Sequence, residues 1–351
     1  MAVYYKQSTN KNIKGKTNSE NEGVNESIIE IPNWVGSKQT FPPSFSITKK
    51  IGHKKLNKTK LYKVSHSAKL DKLSFTYPAT SQDEEIFFMN TLKGFVDDGN
   101  GSILPNKGSY HLTVSLQLIA NEKLTIQAKP YNDNNNFLRF VWNPSKNLGG
   151  GHEKLQDVYL HLLFPNGFNT NKIRITRLDT AIDFNFVKSD QLMIHAPYYK
   201  VGRTFLNGVG NIETHYVGTN QSTREFVLYD KQKEQKKKGV DIPKTTRFES
   251  RFRPQQSVYL PEVLTEEPFK GVKIYYAPPP PNVEEHEWGY FLSYAQTYGL
   301  LAALRKLPKH LRHKYRECLE KFIVSWWQPD KFQLEYENAV KQLLTELKID
   351  Y

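Results

Sequence analysis

The sequence contains almost no cysteine, and this scarcity excludes several classes of protein. Cys318 is the only cysteine among the 351 residues, so an internal disulfide and a cysteine-based zinc cluster are both excluded. Long apolar runs are missing as well, since no stretch approaches the roughly 18 consecutive apolar residues that a membrane helix needs. Residues 1–10 carry Lys6 and lack the apolar core of a signal peptide. These absences predict a soluble, cytoplasmic protein that does not span a membrane.

Two missing sequence motifs exclude further classes of enzyme. The chain has no Gly-x-x-x-x-Gly-Lys loop, so an ATP-driven helicase or partition ATPase is not expected. It has no His-x-His pair of the kind used by histidine-rich nicking enzymes, and we expect His310 and His313 on the surface of a helix. Acidic residues are outnumbered, because 36 Asp and Glu stand against 49 Lys and Arg and leave a net charge of +13. The excess favours nucleic acid as a partner, although a membrane surface or solubility alone would also explain it.

The positive charge is concentrated at the N-terminal end. Residues 1–66 contain twelve lysines and four glutamates, a net charge of +8. This segment is rich in Asn, Ser and Lys and has few periodic apolar residues, which predicts a largely disordered leader. It would act either as a solubilising tail or as an arm that contacts DNA phosphates without reading sequence.

A sheet domain is predicted over residues 67–276, where apolar residues recur at strand and helix spacing. Alternation between polar and apolar residues predicts strands at 72–77, 111–118, 137–142, 173–186, 224–231 and 246–253. Helical spacing predicts helices at 84–95 and 153–164. The order indicates an α+β fold in which an antiparallel-rich sheet has its helices packed on one face.

A second, helical domain is predicted at the C-terminal end. Residues 278–281 are four consecutive prolines, and we interpret 277–283 as a stiff spacer. From residue 284 to 351 the pattern is helical, with breaks at Pro308 and Pro329, which predicts roughly three helices. The sequence therefore predicts a small all-helical domain after the spacer.

Three of the predicted strands carry a charged face. Strict alternation puts apolar residues on one side of each strand and polar residues on the other. The charged faces contain, strand by strand, Arg177, Asp179 and Asp183; Tyr229 and Lys231; and Arg247, Glu249, Arg251 and Arg253. One interpretation is that this side simply faces water, as in many antiparallel sheets. The other is a phosphoryl-transfer site, since carboxylates suit Mg²⁺ or Mn²⁺, arginines suit phosphates, and a tyrosine beside a lysine is a plausible nucleophile.

Four segments together resemble a known family. Residues 174–183 read RITRLDTAID, 216–222 read YVGTNQS, 224–231 read REFVLYDK and 247–251 read RFESR. In order and spacing they are similar to the replication initiation factor family, which comprises the rolling-circle plasmid initiators of the pT181 type and related conjugative relaxases. The resemblance covers roughly residues 70–255 and leaves the leader and the C-terminal helices outside.

The resemblance implies a function and a set of site residues. It implies a metal-dependent DNA nickase, often dimeric, that cuts one strand of its origin or oriT and becomes linked to the 5′ end through a tyrosine. The nucleophile would be Tyr229, and the acidic positions that hold Mg²⁺ or Mn²⁺ would be Asp179, Asp183 and Glu249. Double- and single-stranded DNA and a host helicase are the implied partners. Replication initiator, conjugative relaxase and a DNA-binding protein that has lost turnover all remain open.

Several cations are expected to support this chemistry. A phenol is a poor nucleophile at neutral pH, so Lys231 would lie beside the phenolate, and Arg224 or the arginines around Glu249 would stabilise charge on phosphorus. The lysine run at 233–238 is either a solvated loop or a phosphate contact. The residues expected to bind DNA are Arg177, Arg247, Arg251, Arg253, Lys233, Lys236, Lys237 and Lys238.

Two pairs of adjacent aromatic residues could have either a functional or a packing role. Tyr198 and Tyr199 would suit a two-tyrosine nuclease, but neighbours on an extended chain point to opposite faces, so packing roles are expected. Trp326 and Trp327 are expected to anchor the C-terminal core, with base stacking as the alternative.

Overall fold

In a computed structural model of the protein, the described residues fall into two compact units, Met1–Ser65 and His66–Tyr351. In the first unit two strands are described, β1 (Ser27–Ile29) and β2 (Tyr62–Val64), which pair antiparallel. The rest of the predicted leader lies outside the described residues. The second unit is described over residues 66–349, except for 106–109, 120–121, 132–135, 149, 186, 190–191, 197–198, 200, 207–211, 277–282, 322 and 325.

A ten-stranded sheet is the centre of the second unit. Its strands are β3 (Ala68–Pro78), β4 (Gly101–Ile103), β5 (Tyr110–Gln117), β6 (Lys123–Pro130), β7 (Phe137–Trp142), β8 (Arg174–Asn185), β10 (Gly202–Leu206), β11 (Ile212–Val217), β12 (Arg224–Asp230) and β13 (Thr245–Phe252). Their order across the sheet is β10-β11-β12-β13-β8-β3-β7-β6-β5-β4, and every neighbouring pair is antiparallel. Strands β9 (Leu192–His195) and β14 (Lys273–Tyr276) form a separate antiparallel pair.

One face of the sheet carries the apolar side chains and is covered by helices. Helix α1 (Gln82–Asp97) begins after Ser81, whose hydroxyl accepts a hydrogen bond from the Glu84 amide at 3.1 Å. It buries Phe88, Leu92 and Phe95 at helical spacing against this face. A second helical segment joins β7 to β8 and consists of α2 (Gly151–Lys154), a π-helical stretch (Leu155–Leu160) and α3 (His161–Leu163).

The last helix packs into the core of the sheet. Helix α8 (Pro329–Glu346) buries Tyr336, whose hydroxyl donates to the Val263 carbonyl at 2.6 Å, and places Phe332 6.3 Å from the ring of Phe184 on β8. The sequence predicts a separate helical domain here, whereas residues 66–351 form one compact unit. The difference arises because the apolar stripe of α8 is buried against the sheet itself.

The other C-terminal helices build a smaller apolar cluster. They are α5 (Glu285–Tyr298), α6 (Leu300–Lys306) and α7 (Lys309–Lys321). Their buried residues, among them Trp288 and Tyr315, pack with Tyr275 of β14. The C-terminal region thus contains four helices where three are predicted, because Gly299, at φ +88°, separates α5 from α6. The predicted proline spacer falls in residues 277–282, outside the described part of the chain.

The α+β prediction, with an antiparallel sheet and helices on one face, is confirmed. The strands and helices predicted between residues 67 and 276 are all present within a few residues of their expected bounds, while β1, β2, β4, β6, β9, β10, β11 and β14 are found in addition. The lysine run predicted as a loop or phosphate contact is helix α4 (Lys231–Lys237). Within the part of the chain that the structure describes, no helix is long and apolar enough to cross a membrane.

Candidate active site

The uncovered face of the sheet brings the predicted site residues together. Tyr229 on β12 lies opposite Arg247 on β13, which in turn lies opposite Asp183 on β8. One row further along, Glu249 lies opposite Ala181, and the next row pairs Arg251 with Asp179. We call this side of β12, β13, β8 and β3 the polar face. The predicted alternation is therefore correct for the residues that lie within β8, β12 and β13, whereas Lys231 follows β12 and begins helix α4.

The polar face is not a layer of charged residues facing water. Asp179, Glu225, Arg247 and Glu249 are only 2–5% exposed. Charged groups are almost never buried to this degree unless they are paired. Their burial argues against the interpretation that this side is merely the solvated face of an antiparallel sheet.

Tyr229 is hydrogen-bonded to a carboxylate. Its hydroxyl donates to Glu249 Oε1 at 2.7 Å, and Lys231 Nζ lies 3.4 Å from the same hydroxyl oxygen. Burial raises the pKa of Tyr229 well above its usual range, and the negative charge of Glu249 raises it further. The phenol is consequently held protonated, and its proton points at an acceptor that is already in place.

Lys231 reaches Tyr229 from the start of a helix rather than from the strand. Asp230 ends β12 and caps α4, because its side chain accepts a hydrogen bond from the Lys233 amide at 2.9 Å. The ammonium of Lys231 also forms an ion pair with Glu234. The pairing holds Lys231 beside the phenol although the chain has already left the sheet.

Each of the three carboxylates predicted to bind metal is paired. Both oxygens of Asp179 accept hydrogen bonds from Arg177 at 2.6–3.0 Å. The two oxygens of Asp183 accept from Arg247 at 2.5 and 2.8 Å, and Lys69 Nζ lies 2.6 Å from one of them. The pKa values of Asp179 and Asp183 are shifted in opposite directions. Burial raises the pKa of Asp179 in spite of Arg177, whereas at Asp183 burial is outweighed by Arg247 and Lys69, which lower the pKa to about 2.

The donor set therefore does not fit a divalent metal as these residues are arranged. Glu249 completes the pattern, since Oε1 accepts from Tyr229 and Oε2 accepts from Arg251 at 2.7 Å. A hard cation needs several oxygens that no other cation engages. Among the described residues no group of three or more His, Cys, Asp or Glu side chains is placed to hold a metal ion. Dependence on Mg²⁺ or Mn²⁺ stays a prediction of the sequence resemblance.

Arg224 does not lie in the site. It is an odd number of positions from Tyr229 on the same strand, so its side chain is on the helix-covered face. There it donates to Ser250 Oγ at 3.0 Å and forms an ion pair with Glu266. The prediction that Arg224 stabilises charge on phosphorus next to Tyr229 is wrong for this geometric reason.

The residues predicted to bind DNA divide into two groups. The arginines Arg177, Arg247, Arg251 and Arg253 all lie on the polar face and are all paired with carboxylates. On α4 the pairing is uneven. Lys233 and Lys237 both contact Glu213, Lys238 contacts Glu234, and Lys236 is exposed and forms no ion pair within the described chain.

Strand β3 adds charged groups that the sequence analysis did not single out. Asp71 Oδ1 accepts from Arg247 Nη1 at 2.8 Å, so Arg247 is shared between β3 and β8. Lys72 lies opposite Asp179, and burial together with the nearby charge of Arg177 lowers its pKa. Arg139 on β7 donates to Ser74 Oγ at 2.9 Å. Polar and apolar residues of β3 alternate on each side of a register shift at Asp71–Lys72, and this interrupted alternation is the signal that would have placed the β3 residues on this face.

The described residues of the two aromatic pairs pack in the hydrophobic core. Trp327 is buried, lies 4.9 Å from the ring of Phe248 and donates to the Val272 carbonyl at 2.8 Å. Tyr199 packs edge-on against Phe226 at 5.2 Å on the apolar side. Tyr198 lies outside the described residues. Packing roles are confirmed for Trp327 and Tyr199, although Trp327 packs in the core of the sheet and not among helices α5–α7, where a separate C-terminal core was expected.

Comparisons with known proteins give a structural likeness. The sequence matches no protein-family model, and no curated protein matches it at a significant level. The structure of a rolling circle replication initiator protein from Geobacillus stearothermophilus is similar over 67% of this chain and 98% of that chain, with 17% sequence identity and a TM-score of 0.37.

Proposed function

We propose that the protein is a DNA nicking and joining enzyme that starts rolling-circle replication. In this proposal Tyr229 cuts one strand at a specific origin, is linked to the 5′ end, and later rejoins the strand. The observation that carries it is the hydrogen bond from the Tyr229 hydroxyl to Glu249 Oε1 at 2.7 Å, on a face lined with arginines. A conjugative relaxase would use the same chemistry on a different DNA target. A homodimer and a host helicase as partner remain part of the same hypothesis.

The cutting step exchanges one phosphoester for another. Tyr229 Oη attacks the phosphorus of the scissile phosphodiester while its proton passes to Glu249 Oε1. The new bond joins Oη to phosphorus, the bond from phosphorus to the 3′-oxygen breaks, and the departing 3′-oxygen takes a proton from water. Rejoining runs the exchange backwards, with a 3′-hydroxyl attacking phosphorus and Tyr229 recovering its proton from Glu249. Bond energy is conserved, so no ATP is required.

Cations around Tyr229 have complementary roles in this step. Lys231 Nζ, 3.4 Å from the phenol oxygen, would neutralise the charge that develops as the proton leaves. Arg251 holds Glu249 through Oε2, which leaves Oε1 facing the phenol. Arginines that turn towards the phosphate would stabilise the pentacoordinate state, an effect of roughly 3–4 kcal/mol for a well-placed donor. The raised pKa of Tyr229 keeps the nucleophile protonated until a phosphate approaches.

A DNA-binding protein without turnover is the second candidate. The observation in its favour is that every predicted acidic residue is already ion-paired, so the same network would also serve as a purely structural feature. Under this hypothesis, removing the Tyr229 hydroxyl changes neither DNA binding nor the state of the DNA.

A covalent-adduct experiment separates the two candidates. The full chain is incubated with supercoiled DNA of its native replicon and Mg²⁺, the cut is sequenced, and the linked residue is identified by mass spectrometry. We expect a nick with the 5′ phosphate on Tyr229, and no adduct with Tyr229→Phe although DNA binding stays within several-fold of wild type. Tyr259→Phe is the matched control, because Tyr259 also contacts an arginine, Arg174 at 2.7 Å, but lies outside the site. An adduct on another tyrosine would disprove the assignment of Tyr229.

A further inference from the structure

Three arginines converge on one buried glutamate that lies four residues from Tyr229 on the same face of β12. Glu225 on β12 lies 2.7 Å from Arg203 Nη2, 3.3 Å from Arg253 Nη2 and 3.6 Å from Arg251 Nη1. Glu225 itself is 2% exposed. Since Arg251 is shared with Glu249, three guanidinium groups face two carboxylates. The cluster therefore retains positive charge and unused donors.

One of those donors has no partner. Arg253 Nη1 is buried and makes no hydrogen bond within the described part of the chain. A buried donor without an acceptor is costly, and binding an anion would remove that cost. Arginine is also the side chain best suited to phosphate, because its planar fork can donate two parallel hydrogen bonds.

Two aromatic rings adjoin the arginines on the same face. Tyr216 on β11 lies under Arg203 and Arg251, with 4.9 and 5.8 Å from the guanidinium carbons to the ring centre. Phe205 on β10 meets Tyr216 edge-on at 5.7 Å and is 55% exposed. An exposed phenylalanine beside arginines is a typical platform for an unpaired base.

The register places this platform next to Tyr229. Phe205 lies opposite Thr214, which lies opposite Tyr229, so Phe205 is in the same row two strands away. With strands about 4.8 Å apart, the separation across the sheet is roughly 10 Å. A continuous path of contacts also joins the two places, since Tyr229 bonds Glu249, Glu249 bonds Arg251 and Arg251 contacts Glu225.

We infer that the β10–β11 edge of the polar face binds a nucleotide of single-stranded DNA beside the phosphate that Tyr229 attacks. The base stacks on Phe205, which Tyr216 supports edge-on, and its phosphate is held by Arg203 and Arg253. The inference rests on the proposed function only in naming this strand as the one that is cut. Single-stranded DNA is favoured over duplex because the rings can stack only on a base that has left its own stack.

Binding of short oligonucleotides by the full-length protein tests the inference. Fluorescence polarisation is measured with a labelled oligothymidine and with a duplex of equal length at one fixed salt concentration. We expect Phe205→Leu to weaken single-strand binding by about tenfold, because one stacking contact is lost, and to leave duplex binding nearly unchanged. Arg203→Gln should weaken single-strand binding by about fivefold.

Matched controls lie on helices outside the polar face. Phe87→Leu changes an exposed phenylalanine of α1, and Arg316→Gln changes an exposed arginine of α7. Both should bind the single strand like wild type. If Phe205→Leu behaves like Phe87→Leu, or if single-strand and duplex binding fall by the same factor, the inference is overturned.

Combining the binding measurements with the nicking assay tests the nucleotide site and the proposed nickase function separately. A wild-type protein that forms the Tyr229 adduct, together with a Phe205→Leu variant that binds normally, disproves the nucleotide site alone. Single-strand binding that depends on Phe205, in a wild-type protein that never forms an adduct, supports the nucleotide site and disproves the nickase.

Discussion

The two faces of the ten-stranded sheet are buried by different means. On one face Phe140, Phe184 and Phe248 are completely buried beneath helices. On the other, Asp179 and Glu249 are nearly as buried, but each is paired with an arginine two residues away on its own strand, Arg177 on β8 and Arg251 on β13. The comparison shows that the same alternation, repeated along neighbouring strands, produces an apolar core on one side and an ion-pair network on the other.

The two kinds of burial differ in what they contribute to the free energy of unfolding. Apolar side chains gain about 25 cal/mol for each Å² removed from water. Buried ion pairs roughly balance attraction against desolvation, so a network of them is weak support for stability. Residues of the polar face are thus better explained by function, and residues of the apolar face by folding.

The largest effect on activity is expected at Glu249. Glu249→Gln keeps the hydrogen bond to Tyr229 but removes the base, so single-turnover cleavage should slow by roughly 10²- to 10⁴-fold with DNA binding retained. Glu266→Gln is the control, because Glu266 also pairs with an arginine but belongs to the apolar side. The rate is measured over a series of Mg²⁺ concentrations. A loss that disappears at high Mg²⁺ would make Glu249 a metal ligand instead of a proton acceptor.

A change of similar size, but in stability, is expected on the apolar face. Phe248 is 0% exposed and packs on Trp327 at 4.9 Å. Phe248→Ala should lower the free energy of unfolding by about 3–5 kcal/mol through the cavity it leaves, as measured by urea denaturation. Phe87→Ala, at an exposed site, should change it by about 0.5 kcal/mol or less. Equal losses in the two variants would mean that this face is not the stabilising one.

A smaller, pH-dependent effect is expected at Asp183. Its folded-state pKa of about 2 lies below the unfolded value, so the stabilisation is complete above the unfolded pKa and is lost as pH falls through the folded pKa. Asp183→Asn should therefore cost roughly 2 kcal/mol at neutral pH, and the difference from wild type should shrink between about pH 4 and about pH 2.

Urea denaturation at several pH values measures this difference. Asp157→Asn, at an exposed carboxylate, is the control. A gap between wild type and Asp183→Asn that stays constant down to the lowest pH would show that the pairing with Arg247 does not set the pKa.

The smallest effect is expected on α4. Lys236 has no ion pair within the described chain, so Lys236→Gln should flatten the dependence of duplex binding on salt by up to about 0.9 in logarithmic slope. Lys233 is engaged by Glu213 at 2.5 Å, and Lys233→Gln should change the slope less. A larger change for Lys233 than for Lys236 would mean that DNA displaces Glu213.

The features that the sequence predicts correctly are those whose signal is local, such as the face of a strand on which a residue lies. Alternation within a strand needs no knowledge of its neighbours, and it placed Asp179, Glu249 and Tyr229 on one face correctly. The same rule excludes Arg224, which was assigned from its closeness to Tyr229 along the chain without applying strand parity.

Partners from distant parts of the chain were not predictable. The pairing of Lys69 with Asp183 joins residues 114 positions apart, and only the fold brings them together. Strands β10 and β11 are only 5 and 6 residues long, so the sequence holds no signal that places them beside β12. Helix α8 is predicted as part of a separate domain because apolar residues at helical spacing do not show which element the helix packs against.

The carboxylates of the polar face can be regarded as built-in counterions. In free DNA-binding proteins the charge of an arginine is balanced by mobile anions from solution, whereas here Asp183, Glu225 and Glu249 already provide that balance. A phosphate that binds the arginines must displace a carboxylate from their N–H groups. When the phosphate leaves, the carboxylate accepts those hydrogen bonds again. Under the proposed function, binding of a DNA strand at this face would thereby be moderate and reversible, as an enzyme that must release the DNA it has rejoined requires.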